Sequence, residues 1–104
     1  MHKRRAHSLR RKQGLCCATS GALSELIVCA DLVRKGYDVF RAVSPAASCD
    51  LVIVKNSSCL RIEVRTGSAT AKGLAYSWRP IDVGRSDVVA IVVGNQIVYK
   101  PELM

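Results

Sequence analysis

Cys49-Asp50-Leu51-Val52-Ile53-Val54, a short turn, and then Leu60-Arg61-Ile62-Glu63-Val64-Arg65 form the stretch whose reading decides the fold. Successive side chains on a strand point to opposite faces. In the second run Leu60, Ile62 and Val64 take one face and Arg61, Glu63 and Arg65 the other. In the first run Cys49, Leu51 and Ile53 make the apolar row, leaving Asp50, Val52 and Val54 opposite. Burying both apolar rows together fixes the register, because a one-residue slip turns one row outward. With a turn centred on Asn56-Ser57, Asp50 lies directly across from Glu63, the Cβ atoms roughly 5 Å apart. Two carboxylates that close repel unless a cation lies between them, so the spacing predicts a divalent-metal site. The competing reading is a set of ordinary cross-strand ion pairs with Arg61 or Arg65.

Working outward, the chain has the length of a single domain with one core, 104 residues. Its 49% hydrophobic and 23% charged content is that of a globular protein. No apolar run reaches the ~18 residues needed to cross a bilayer. The start, Met1 to Lys12, is basic, but no apolar segment with a small-residue cleavage site follows, which argues against a secretory signal. The cysteines at 16, 17, 29, 49 and 59 are odd in number and lack a C-x-x-C pair. They point to reduced thiols and a cytoplasmic setting, and away from a disulfide scaffold or a zinc site.

The net charge of +8 is unevenly placed. Lys3, Arg4, Arg5, Arg10, Arg11 and Lys12 meet no acid in the first thirteen residues, while the rest of the chain is nearly balanced. Such an arm either binds phosphates in a salt-dependent way or is a plain solvated terminus. It has no apolar helical face or lipid anchor for a membrane. We expect a flexible basic arm over 1–17 and a single domain over 18–104.

Beyond the arm, Leu23, Leu26, Ile27, Ala30 and Val33 recur at helical spacing, predicting a helix from about 20 to 35 with those residues buried. Thr19 or Ser20 is the expected N-cap, Glu25 falls in the early turns, and Gly36 stands at C′. Tyr37 to Val43 alternates as a strand. After the hairpin, residues 66–85 carry Gly67, Gly73, Pro80 and Gly84 and give no readable pattern, so the crossover back to the sheet falls there. Asp87 to Val93 reads as a strand covered on both faces. Gly94-Asn95 is a two-residue hairpin signal before a last strand, Gln96 to Lys100.

Residues 18–100, in this order, resemble the PD-(D/E)XK nuclease superfamily, most of all small archaeal Holliday-junction resolvases and group I intron endonucleases of that fold. The likeness is carried by Gly21-Ala22-Leu23-Ser24-Glu25, by Leu32-Val33-Arg34-Lys35-Gly36-Tyr37-Asp38-Val39, by Asp50, Glu63 and Arg65, and by Ser86-Asp87-Val88-Val89 through Tyr99-Lys100-Pro101. It implies an α/β restriction-endonuclease-like core: an N-terminal helix, then a mixed, mostly antiparallel five-stranded sheet. It also implies a Mg²⁺- or Mn²⁺-dependent endodeoxyribonuclease acting on branched or intron-target DNA. Asp50, Glu63 and the Val64 carbonyl would be the metal ligands, Glu25 would support the ion through water, and Arg65 would complete the catalytic set. Cys49 stands where the family has proline, and Arg65 where it has lysine. A guanidinium stays protonated, with a pKa above about 12, and cannot act as a general base, though it can hold a phosphate oxygen.

The expected partners are DNA, held by Lys3, Arg4, Arg5, Arg10, Arg11 and Lys12, and a second copy of the chain, since one small site cuts one strand. No membrane or small-molecule substrate is expected. The alternative is a catalytically inactive nucleic-acid-binding module of the same fold. Ser44 and Ser48 are turn residues or phosphate contacts, and Tyr76 and Trp78 are packing aromatics or base-stacking ones. His2 and His7 receive no role.

Overall fold

A computed structural model describes residues 16–44, 46–70, 73–75 and 86–103. The elements are helix α1 (Cys17–Arg34) and strands β1 (Asp38–Arg41), β2 (Leu51–Lys55), β3 (Ser58–Thr66), β4 (Ser68–Thr70), β5 (Gly73–Ala75), β6 (Val88–Val93) and β7 (Gln96–Lys100). The main sheet has the order β1-β2-β3-β6-β7, and β4 and β5 form a separate two-stranded ladder. Among the described strands of the main sheet, only the β3–β6 pair is parallel. This is the expected helix and mixed five-stranded sheet. The β4–β5 ladder lies within the stretch whose sequence shows no period.

The deciding hairpin folds in the expected register. Asn56 and Ser57 have φ of 52° and 70°, the paired left-handed conformation that a two-residue type I′ turn requires. Lys55 then faces Ser58 and Leu51 faces Ile62. Leu51, Ile53 and Ile62 join Val28 and Leu32 of α1 and Val88, Ala90 and Val92 of β6 in one buried cluster, with Leu60 and Val64 packed against it. Val89, Ile91 and Val93 bury the opposite face of β6, as its unbroken apolar run predicts.

The helix departs from expectation at its start and in its buried face. It begins at Cys17, with Cys16 as an extended N-cap that makes no side-chain cap bond, and its first turn carries no acid. Neither Thr19 nor Ser20 is the cap, because nothing in Cys17-Ala18-Thr19 breaks a helix. Glu25 consequently sits in the third turn, beyond the reach of the helix dipole. The buried residues are Ser24, Val28 and Leu32, whereas Leu23, Leu26 and Val33 are 43%, 51% and 59% exposed. Two polar ties select this face: the Ser24 and Thr66 hydroxyls lie 2.7 Å apart, and Tyr99 Oη donates to Asp31 Oδ2 at 2.5 Å.

The helix end follows expectation. Gly36, at φ +92°, lets its own N–H reach the Val33 carbonyl and the Tyr37 N–H reach that of Leu32, a Schellman closure. Strand β1 is shorter than expected, ending at Arg41, and the Ala42 N–H bonds the Asp50 carbonyl at 2.9 Å. Among the described residues no helix is long and apolar enough to cross a membrane.

Candidate metal and phosphate site

The ladder that sets Leu51 opposite Ile62 puts Asp50 opposite Glu63, one step beyond the end of β2. The backbone supports this register, since the Asp50 N–H donates to the Ile62 carbonyl at 3.0 Å. The Asp50 side chain turns to the next residue of β3, where Oδ2 accepts the Val64 N–H at 2.8 Å. Asp50 is thus fastened by its backbone on one side and its carboxylate on the other.

Glu25 reaches the same place from α1. Glu25, Arg41, Ser44 and Asp50 line one cleft of about 310 Å³. Arg41 Nη2 donates to Glu25 Oε1 at 3.1 Å. The Ser24–Thr66 hydroxyl pair ties the helix, one residue before Glu25, to the last residue of β3, one residue after Arg65. That bond sets the height of Glu25 along the strand.

Glu63 and Arg65 lie on the other face of β3, because Ile62 and Val64 are committed to the helix side. In the parallel ladder they pair with Val89 and Ile91. Arg65 grips Glu63 Oε2 through Nε at 3.0 Å and Nη2 at 2.9 Å. Arg61, the other cation offered by the sequence, is held by Asp87 instead: its N–H, Nε and Nη2 bond that carboxylate at 2.8, 3.2 and 3.2 Å. These bonds from Arg61 keep the Asp87 carboxyl below the ordinary carboxylate range.

The structure therefore brings Asp50 together with Glu25 in one cleft and with the backbone of Val64. It leaves Glu63 at the matching register position, in the grip of Arg65. Among the described residues no three His, Cys, Asp or Glu side chains converge on a single metal position. The donor chemistry itself suits a hard divalent ion: carboxylate oxygens and a strand carbonyl. Ser44 accepts the Ala46 N–H at 3.2 Å, an ordinary turn bond, and Ser48 is exposed. Lys3, Arg4, Arg5, Arg10, Arg11, Lys12, Tyr76 and Trp78 lie outside the described residues.

Arg41 is the residue that the sequence reading missed. Its signal is strand parity: Arg41 pairs with Leu51, which places it on the helix side, one step from Asp50. A larger cavity, about 520 Å³, lies at the far end of β2 between Tyr37, Lys55, Leu60 and Leu103. It contains none of the predicted acids.

The PD-(D/E)XK endonuclease family model matches residues 18–97, and the chain belongs to this family. Among solved structures the fold is similar to that of a bacterial homing endonuclease, I-Ssp6803I, at a TM-score of 0.57 and 14% identity over 76% of this chain. The match spans 63% of that protein's length. None of the curated proteins matches the chain.

Proposed function

We propose that this chain is a metal-dependent DNA endonuclease that hydrolyses phosphodiester bonds in branched or intron-target DNA as a homodimer. The observation that carries this reading is the joint position of Asp50, which shares a cleft with Glu25 and takes the amide of Val64. Asp50, Glu63 and the Val64 carbonyl would hold Mg²⁺ or Mn²⁺, with Glu25 behind them. The ion, when bound, supplies an acidic water and charge stabilisation for the leaving oxygen.

The protein's own contribution is positional. The Val64 amide fixes the Asp50 carboxylate, and the Ser24–Thr66 bond fixes Glu25. Arg65 supplies a permanent cation beside Glu63 that can pair with a phosphate oxygen but cannot remove a proton. The basic arm holds the DNA backbone without reading sequence.

A second reading, an inactive nucleic-acid-binding module, is favoured by one observation: Arg65 already neutralises Glu63 through two nitrogens. Cleavage of branched, nicked and linear DNA in Mg²⁺ or Mn²⁺ separates the two. The nuclease reading predicts cleavage that falls about 10²-fold or more in Asp50→Asn and in Glu63→Gln, with DNA binding retained. Binding without cleavage of any substrate in either metal favours the module. Deleting residues 1–13 should flatten the salt dependence of binding by up to about five units of log–log slope, since each phosphate contact contributes about 0.9. An unchanged slope removes the arm from the interface.

A further inference from the structure

We propose that Arg41 is a phosphate-holding residue of the cleft, exchanging Glu25 for a DNA phosphate when a divalent cation takes up the carboxylates. The inference rests on the reading of Asp50 as a cation ligand with Glu25 supporting the ion through water, and adds the group that receives the anion. Arg41 closes β1, faces Leu51 in the ladder, and lines the cleft with Glu25, Ser44 and Asp50.

Its one described bond is to Glu25 Oε1 through Nη2, at 3.1 Å. A guanidinium carries five N–H donors in a planar fork, so most of its capacity is unused by that bond. As a stability device the pair is weak: the Arg41 and Glu25 side chains are 49% and 28% exposed, and exposed pairs typically contribute about 0–1 kcal/mol. An arginine at the mouth of a carboxylate cleft therefore needs a different account.

Charge supplies it. Two carboxylates and Arg41 leave the cleft at a net charge of −1, which repels a phosphodiester. A divalent ion reverses the sign to +1, and one phosphodiester then neutralises the cleft. Without Arg41 the ion would only balance the two acids, and the cleft itself would carry no positive charge to attract the phosphate. In the absence of an ion, Arg41 occupies Glu25 and competes with the cation. With the ion bound to the acids, the fork is released to take two phosphate oxygens in its bidentate geometry.

The test uses the full chain, with Ca²⁺ as the metal probe. Duplex affinity is measured by fluorescence anisotropy over a salt series, and Ca²⁺ binding without DNA by calorimetry. Arg41→Gln should weaken duplex binding in Ca²⁺ about tenfold and lower the salt slope by about one. Its Ca²⁺ affinity should hold or rise, because Glu25 loses its competing cation. Arg41→Lys, which keeps the charge and the aliphatic stem and so guards against loss of fold, should recover the slope but only part of the affinity. Unchanged duplex affinity and slope in Arg41→Gln overturns the proposal. So does a loss of Ca²⁺ binding in that variant, which would make Arg41 a support for the acids only. Asp50→Asn tests the underlying reading separately. If it leaves Ca²⁺ binding intact while Arg41→Gln still weakens the duplex, the cation assignment fails and the phosphate contact stands.

Discussion

At the scale of single residues, each acid of the site is held by a different device, and the devices differ in what a substitution removes. Asp50 accepts the Val64 amide at a partly buried position. Asp50→Ala leaves that amide without its acceptor, at a cost of about 1–3 kcal/mol, whereas Asp50→Asn keeps an oxygen in place. Thermal denaturation should show Ala clearly below Asn. Equal melting temperatures would mean that the bond contributes nothing to the fold. Glu63 is held by two nitrogens of Arg65. Lysine offers a single ammonium in place of that fork, so Arg65→Lys should raise Mn²⁺ affinity severalfold by loosening the competing pair. A titration followed by electron paramagnetic resonance checks this, and unchanged affinity would show that the ion pair does not oppose the cation.

At the scale of elements, the helix shows where sequence patterning stops deciding. Two stripes of α1 are available to the sheet, and apolar spacing alone prefers Leu23, Leu26, Ile27, Ala30 and Val33, of which Ile27 packs against the core. The buried stripe runs through Ser24, Val28 and Leu32 instead, because the hydroxyls of Thr66 on β3 and Tyr99 on β7, partners of Ser24 and Asp31, lie on that side. Such partners are distant in sequence and leave no periodic mark. Gly36 and the Asn56-Ser57 turn, by contrast, are local chemistry and can be read directly. The tie between α1 and β7 also has a pH signature. Burial, and then the Asp31 hydrogen bond, push the Tyr99 hydroxyl above its ordinary pKa, which is about 10. A raised folded-state pKa contributes stability that is present below about pH 10 and lost as pH rises further. Burial tends to raise the Asp31 carboxyl, but hydrogen bonds from Tyr99 and Lys35 outweigh it and hold the carboxyl low. That part of the stability is lost as pH falls below about 4. Tyr99→Phe should cost about 1.5 kcal/mol near neutrality and remove the alkaline decline contributed by this residue. Denaturant unfolding from pH 7 upward measures both, and parallel pH profiles for the two proteins would refute the assignment.

At the scale of the molecule, the hairpin that sets Asp50 opposite Glu63 was legible because one face of the sheet is buried and parity then has only one solution. The β4–β5 ladder was not, since three-residue strands are too short to display a period. The cleft was half legible: Asp50 follows from the hairpin register, Glu25 was indicated by the family resemblance and not by its position in the helix, and Arg41 becomes visible only once β1 is laid beside β2. The order of the main sheet has a kinetic consequence. From α1 through β3, each element packs against one near it in the chain, so the segment bearing all three acids can collapse locally. Strand β6 must instead close a loop back to β3, pairing Ile62 with Val88, and such closures are the slow, cooperative part of folding. All six residues of β6 are buried, so its amides should exchange with solvent deuterium only through global unfolding, while those of the edge strand β1 exchange through local opening. Exchange of β6 before β1 would contradict this order. The three acids thus sit on the locally connected part of the chain, α1 through β3, and β6 is joined to that part through a long-range closure onto β3.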